Sequence, residues 1–117
     1  MQPMDRLNEL REQGRMTWID EEHGWVAAPE DIVHALSSEG FEECKREMTM
    51  SRQDSRPAGG VWQGINPRTG SVASMIWMNR PTSPDAIVFM ALNGESLKGA
   101  GALSPDRDPY REDGGEA

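Results

Sequence analysis

Two side chains in the amino-terminal half are of the types that form a nucleophilic pair. An imidazole that takes the proton of a nearby thiol turns a cysteine into a nucleophile, and the chain offers His34 and Cys44. His34 stands beside Val33 and Ala35 in a predicted helix, and Cys44 follows Phe41 at the spacing of core residues. We therefore interpret both as buried structural residues, although the sequence leaves a pairing open.

A second candidate for chemistry is the run Asp20-Glu21-Glu22-His23, because carboxylates and an imidazole are suitable ligands for a divalent cation. Consecutive residues of a hairpin loop point in different directions, so we interpret the run as a solvated turn. The chain also has no Gly-rich phosphate loop, no Cys-x-x-Cys, no His-Glu-x-x-His and no Gly-x-Ser-x-Gly. These observations favour a non-catalytic protein over an enzyme, with no catalytic residue, cofactor or metal.

The charge of the chain is strongly acidic and uneven. The net charge is -8, and residues 1–50 contribute twelve of the twenty acidic side chains. Such a charge disfavours direct binding to nucleic acid, whose phosphates are neutralised by Lys and Arg. It favours a basic protein partner, such as a nucleic-acid enzyme or a toxin, and we expect Glu21, Glu22, Glu42 and Glu43 to face it.

Length and composition predict one domain. A chain of 117 residues with 36% hydrophobic content can bury a core, and its single cysteine excludes an internal disulfide. We expect an α+β domain over residues 1–97 and an acidic, flexible, Gly- and Pro-containing tail over 98–117. No apolar run is long enough for a signal peptide or a membrane span, so a soluble protein is expected, and the single cysteine favours a reducing cytoplasm. The arginine-rich basic set hints at a bacterial or phage genome.

The helices and the first hairpin follow from local pattern. Apolar spacing predicts helices over 4–14 and 29–38, the second with Pro29 at a first-turn position and Gly40 as its stop. Residues 16–27 are typical of a hairpin, and residues 86–92 of a buried strand. Residues 41–51 fit either a helix or a strand, and we favour a strand because it enlarges the sheet. Residues 52–60 have the composition of a loop.

The stretch 60–92 is predicted to form the centre of the sheet. A loop from Asn66 to Gly70 places Ile65 opposite Val72 and therefore sets which residues share a face. One face carries Val61, Ile65, Val72 and Ile76, and the other carries Trp62, Ala73, Met75 and Trp77. Both faces are apolar, so one of them is either covered by the chain or forms a binding surface.

The loop Asn66-Pro67-Arg68-Thr69-Gly70 resembles the tip of the β-arm in bacterial histone-like DNA-bending proteins. The likeness covers five residues, and those proteins are strongly basic. We interpret it as shared turn chemistry.

Together these patterns predict an α+β fold with an antiparallel sheet of about four to six strands packed against one or two helices. We expect a small acidic, non-catalytic protein-binding module of the inhibitor, immunity or anti-defence type. Its expected contact residues are Glu21, Glu22, Glu42, Glu43, Trp62, Met75 and Trp77. The alternatives are a small-molecule-binding or enzymatic domain with a pocket between sheet and helix, using His34, Cys44 or Trp77, and a homodimer formed through the face that carries Trp62 and Trp77.

Overall fold

The structure is a computed structural model, and it describes residues 5–50 and 57–99. This part of the chain forms two helices, α1 (Asp5–Glu12) and α2 (Pro29–Ser38), and seven strands. The strands are β1 (Met16–Asp20), β2 (Gly24–Ala27), β3 (Glu42–Met50), β4 (Pro57–Ile65), β5 (Val72–Asn79), β6 (Ala86–Leu92) and β7 (Glu95–Ser96). All strands pair antiparallel in one sheet, in the order β1-β2-β6-β5-β4-β3, with β7 beside the end of β6. The fold is α+β and dominated by its sheet, and seven strands exceed the predicted four to six.

The two hairpin loops have the predicted turn chemistry. In the first, the Asp20 carboxylate accepts hydrogen bonds from the backbone N–H groups of Glu22 and His23, and Gly24 closes the loop at a φ of 67°. In the second, the Asn66 carbonyl accepts the N–H groups of Thr69 and Gly70, and Gly70 has a φ of 76°. Positive φ is accessible to glycine at no steric cost. The predicted hairpin over 16–27 is therefore confirmed, as is the loop between β4 and β5.

Helix α2 begins and ends as predicted. Pro29 occupies its first turn, where a missing N–H costs nothing, and Glu30 and Asp31 complement the positive end of the helix dipole. At the other end the N–H of Gly40, with a φ of 105°, donates to Ser37, and the N–H of Phe41 donates back to Leu36. The chain can then reverse into β3, which confirms a strand rather than a helix within the predicted range 41–51; Ser51 lies outside the described residues.

Two features of the strands differ from the prediction. Residues 57–60 are the start of β4, whereas they were predicted to lie in the loop 52–60; residues 52–56 lie outside the described part. Their glycines look like loop residues in sequence, but Gly59 and Gly60 pair with Met78 and Trp77 across the sheet. The short β7 was not predicted at all. It forms because Asn93 and Gly94, at φ values of 52° and 83°, make a tight turn after β6.

The sheet has one covered face. Ile65 pairs with Val72 and Trp62 with Met75, which confirms the predicted register of the central hairpin. Both helices lie on the face that carries Trp62, Met75 and Trp77. These strand residues pack with Leu7 and Leu10 of α1 in a single core. The core also contains residues of α2, β2 and β6, among them Trp25, Ala27, Ile32, Val33, Leu36, Val88, Met90 and Leu92.

Candidate functional site

The other face of the sheet is open and apolar. We call it the open face, and its side chains come from the four strands β2, β6, β5 and β4. The pairing register places Val61, Ile76 and Phe89 in one row across it, and Met78, Ile87 and Val26 in the next. Ile76 is 56% exposed and Met78 is 55% exposed, and Ile65, Val72 and Phe89 are exposed as well. These side chains form one contiguous apolar patch, and the largest apolar patch on a monomer is often a functional surface.

The described part of the chain leaves the open face uncovered because its remaining segments lie on the helix side. Trp25 donates its indole N–H to the Leu97 carbonyl oxygen at 2.9 Å, which holds the segment after β7 against the core. Gly99 follows and lies next to the indole of Trp18, a side chain of the covered face. The chain therefore leaves the described region on the side of the sheet opposite to the open face.

Carboxylates border the open face on the edge strand β3. Glu42 and Glu47 pair with Ile65 and Val61, so their side chains stand on the open side, and Lys45 lies between them and contacts Glu47 at 3.9 Å. At the other end of the strand order, Glu21 and Glu22 are exposed at the tip between β1 and β2, and Glu21 contacts Lys98 at 4.0 Å, in the segment that lies on the helix side. The sequence predicted one acidic surface, but only Glu42 of the four predicted acidic residues lies beside the open face.

Among the predicted acidic residues, Glu43 has a structural role. A bulge between Glu43 and Lys45 shifts the pairing, and Glu43 faces the helix side. There it accepts hydrogen bonds from Arg46, at 2.8 Å, and from the indole N–H of Trp62, at 2.9 Å. These hydrogen bonds, that of Arg46 first, lower the pKa of the Glu43 carboxyl below its ordinary value. Arg46 also contacts Glu30 of α2, so Glu43 serves to tie β3 to the core.

The three apolar contacts predicted from sequence are core residues. Trp62 and Met75 are fully buried, and Trp77 is 5% exposed. A surface formed by these side chains would require the helices to leave the sheet, so they are not available to a partner of the folded chain. This corrects the prediction, and it also removes the dimer through the Trp62 and Trp77 face. The predicted pairing register of the central hairpin is correct. Of the two apolar faces that it defines, the helices cover the one with the larger side chains.

His34 and Cys44 are both exposed, whereas the sequence indicated buried roles. Cys44 is the bulged residue of the edge strand β3. His34 lines a groove of about 190 Å³ between α1 and α2, together with Arg6, Glu9, Arg15 and Asp31 among others. Arg6 contacts Glu9, and Arg15 contacts Asp31 at 2.8 Å, so the groove's charges are already paired. Its volume is below the roughly 300 Å³ at which ligand sites begin. Neither Cys44 nor Trp77 lines this groove.

Hydrogen bonds to the Asp20 carboxylate organise the acidic loop. The Asp20 carboxylate contacts Nδ1 of His23 at 2.8 Å, in addition to two backbone N–H groups. These hydrogen bonds lower the pKa of Asp20, and the same carboxylate raises the pKa of the His23 imidazole. No group of three or more His, Cys, Asp or Glu side chains within residues 5–50 and 57–99 has a geometry that could hold a metal ion.

The loop 66–70, which resembles the tip of the β-arm in DNA-bending proteins, is partly buried. Asn66 is buried, and its side-chain amide donates to the Glu39 carbonyl oxygen at the end of α2 while its oxygen accepts the Arg68 N–H. Arg68 itself is exposed. The asparagine therefore anchors the loop to the helix layer.

Comparison of the chain with protein-family models, with curated proteins and with solved structures gives no match. In the described ranges, no helix has the length and apolar character required to cross a membrane.

Proposed function

We propose that the protein is an acidic, non-catalytic protein-binding module that holds a basic protein partner against the open face. The observation that supports this proposal is the apolar centre around Ile76, which no segment within 5–50 and 57–99 covers and which Glu42 and Glu47 of β3 border. Stable protein contacts commonly combine an apolar, water-excluding centre with a polar rim. The predicted partner surface is therefore an apolar patch with Lys or Arg side chains along one side of it.

The two parts of this surface have different tasks. The net charge of -8 and the exposed carboxylates Glu21, Glu22, Glu42 and Glu47 attract a basic partner over distances of about 10 Å at ordinary salt. They act on the association rate. The apolar side chains Ile76, Met78 and Phe89 lose water on contact and slow dissociation.

The acidic character suggests how such a module would act. Enzymes that handle nucleic acid, and toxins that attack it, carry basic surfaces for phosphate. An acidic protein that occupies such a surface blocks it by competition for the same charges. We therefore propose the inhibitor, immunity or anti-defence type of protein.

The proposal is tested by affinity capture with matched variants. The full chain is immobilised and exposed to lysate of the cells that produce it, and retained proteins are identified by mass spectrometry. Ile76→Lys places a positive charge in the centre of the open face. Met48→Lys is the control, because Met48 is 52% exposed, lies on the edge strand β3 and faces the helix side.

We expect a basic protein that the native chain and Met48→Lys retain and that Ile76→Lys loses. Its retention should fall as salt is raised from about 50 mM to about 500 mM, because screening weakens attraction between unlike charges. Charge reversal at Glu21, Glu22, Glu42 and Glu47 should slow its association. Retention that is unchanged in Ile76→Lys, or a retained set without basic proteins, would refute the proposal.

A further inference from the structure

We propose that Met78 is a site of reversible oxidation that regulates the open face. Hydrogen peroxide converts the thioether of Met78 to the sulfoxide, which prevents partner binding, and reduction of the sulfoxide restores binding. The inference rests on the proposed function, because it assigns a regulation to the same surface. The complex with the basic partner is then sensitive to peroxide.

Met78 is the side chain of the open face that peroxide oxidises. It is 55% exposed, and it lies between Gly59 of β4 and Ile87 of β6 in the pairing register, so no side chain of β4 stands beside its sulfur. Ile76 lies two residues earlier on the same face. Cysteine and methionine are the side chains on the peroxide oxidation ladder, and within the described strands β2, β4, β5 and β6 only Met78 of these two types faces the open side.

The reaction is a two-electron oxidation of the thioether sulfur. The sulfur attacks one oxygen of the peroxide, and the O–O bond breaks as the S–O bond forms. The other oxygen takes up the proton of the attacked oxygen and leaves as water. The flexible apolar side chain becomes a polar one that carries a hydrogen-bond acceptor. Burial of this oxygen against an apolar partner surface, without a donor, is costly, so the sulfoxide at Met78 opposes contact at the open face.

The other methionines of the described chain separate exposure from location. Met48 and Met50 are each 52% exposed, and both lie on the edge strand β3. Met48 faces the helix side, and the pairing shift before Met50 skips Ala58 of β4, so β3 keeps its alternation and Met50 lies on the side of Met48. The buried methionines are at most 5% exposed: Met16, Met75 and Met90. Peroxide should therefore reach Met48, Met50 and Met78, but only the sulfoxide at Met78 should affect binding.

The test treats the full 117-residue chain with millimolar hydrogen peroxide, removes the peroxide with catalase and then repeats the affinity capture from lysate. All proteins carry Cys44→Ser, because Cys44 is exposed and peroxide also oxidises thiols. Peptide mass spectrometry follows the oxidised fraction of each methionine over time. The compared proteins are this background chain, the double variant Met48→Leu/Met50→Leu, and Met78→Leu. Each is compared with its own untreated sample, and a methionine sulfoxide reductase is added to part of each treated sample.

We expect Met48, Met50 and Met78 to be oxidised at similar rates, about tenfold or more faster than Met75 and Met90, because susceptibility follows exposure. Treatment should lower retention of the basic protein about tenfold or more for the background chain and for the double variant. The reductase should restore retention in both. Retention by Met78→Leu should not change on treatment.

Oxidation of Met78 as slow as that of Met75 would overturn the inference, because the side chain would then be covered in solution. Unchanged retention after complete oxidation of Met78, for a protein that Ile76→Lys loses, would overturn it as well and would leave the proposed function intact. Loss of retention through unfolding of the treated chain, measured by circular dichroism, would also overturn it. If no retained basic protein depends on Ile76, the proposed function fails and the regulation with it, and the untreated chains alone give that result.

Discussion

Glu42 and Glu43 are adjacent in sequence and have opposite surroundings. Glu42 pairs with Ile65 and stands on the open side, whereas Glu43 lies on the helix side and accepts the indole N–H of the fully buried Trp62. Alternation along a strand separates such neighbours by face, and the bulge after Glu43 then resets the pattern. Sequence charge alone does not distinguish a carboxylate that is exposed beside the open face from one that stabilises the fold.

Glu43→Ala should therefore destabilise the fold more than Glu42→Ala. The variant removes the acceptor of the Trp62 indole N–H and a partner of Arg46, and a buried donor without an acceptor is costly. We expect the midpoint of thermal unfolding to fall by several degrees for Glu43→Ala and to change little for Glu42→Ala. The midpoint of Glu43→Gln, which keeps an acceptor oxygen, should lie between those of the two alanine variants. Equal effects of the two alanine variants would contradict the assigned roles.

Glu39 is a buried carboxyl at the end of α2. Burial raises its pKa above the ordinary 4.5, although the Arg6 backbone N–H donates to it. One carboxyl oxygen, Oε2, is buried without a hydrogen-bond partner in the described part of the chain. Because the folded-state pKa is raised, ionisation of Glu39 weakens the fold as pH rises above the unfolded value.

Glu39→Gln should consequently raise stability at neutral pH. The amide keeps an acceptor for the Arg6 N–H and carries no charge, so the penalty for a buried carboxylate disappears. We expect thermal unfolding of Glu39→Gln to occur a few degrees higher than that of the native chain at pH 7.5, with a smaller difference at pH 4. If the difference between the two proteins is independent of pH, Glu39 is not ionised at a cost in the fold.

At the scale of the elements, local chemistry predicts most of the sheet. The loops 20–24 and 66–70 each end in a glycine of positive φ, and this pattern is visible in sequence. The same reasoning applied to Asn93-Gly94, a strong signal for a two-residue hairpin, would have predicted β7. Residues 57–60 were not predicted as part of a strand, because glycine usually indicates a loop. Here the glycines belong to a strand that packs against tryptophan rings.

The covered face was not predictable from apolar pattern alone, because both faces of the central hairpin are apolar. The glycines of β4 contain the missing signal. A Cβ atom on Gly60 would lie 2.5 Å from the Trp77 ring and 2.6 Å from the Glu47 carbonyl oxygen. Gly60 and Gly64 share the face of Trp62, so the sequence Gly-x-Trp-x-Gly indicates a face where large rings lie close to the backbone. Such a face is the packed one.

Gly60→Ala should therefore destabilise the fold by about 1–3 kcal/mol, the usual cost of adding a carbon to a packed core. The added methyl group would displace the Trp77 ring or open the pairing with β3. Urea unfolding followed by tryptophan fluorescence measures the change. Gln63→Ala is the control, since Gln63 lies on the same strand and faces the open side. If Gly60→Ala loses no more free energy of unfolding than the control, the contact between Gly60 and the Trp77 ring is not tight.

At the scale of the whole molecule, helix placement decides which face of the sheet is open. Both helices cover one face of a sheet whose two faces are apolar, and no segment of the described ranges covers the other face around Ile76. The sequence identified the members of each face through loop length, but it did not indicate which face the helices cover, because that depends on contacts between distant segments. The predicted acidic residues do not form one surface: Glu42 lies beside the open face, Glu43 faces the helix side, and Glu21 contacts Lys98. The combination of an apolar centre with the carboxylates of β3 exists only in the assembled sheet.

The affinity of the captured basic partner for three forms of the chain tests the central claim most directly. Isothermal titration with the purified partner compares the native chain, Ile76→Lys and Met48→Lys, two variants with the same charge change on opposite sides of the sheet. We predict that Ile76→Lys raises the dissociation constant by about 30-fold or more, as expected for a residue at the centre of the contact. Met48→Lys should stay within about threefold of the native value. Equal dissociation constants for the two variants would contradict the claim that the open face is the contact surface.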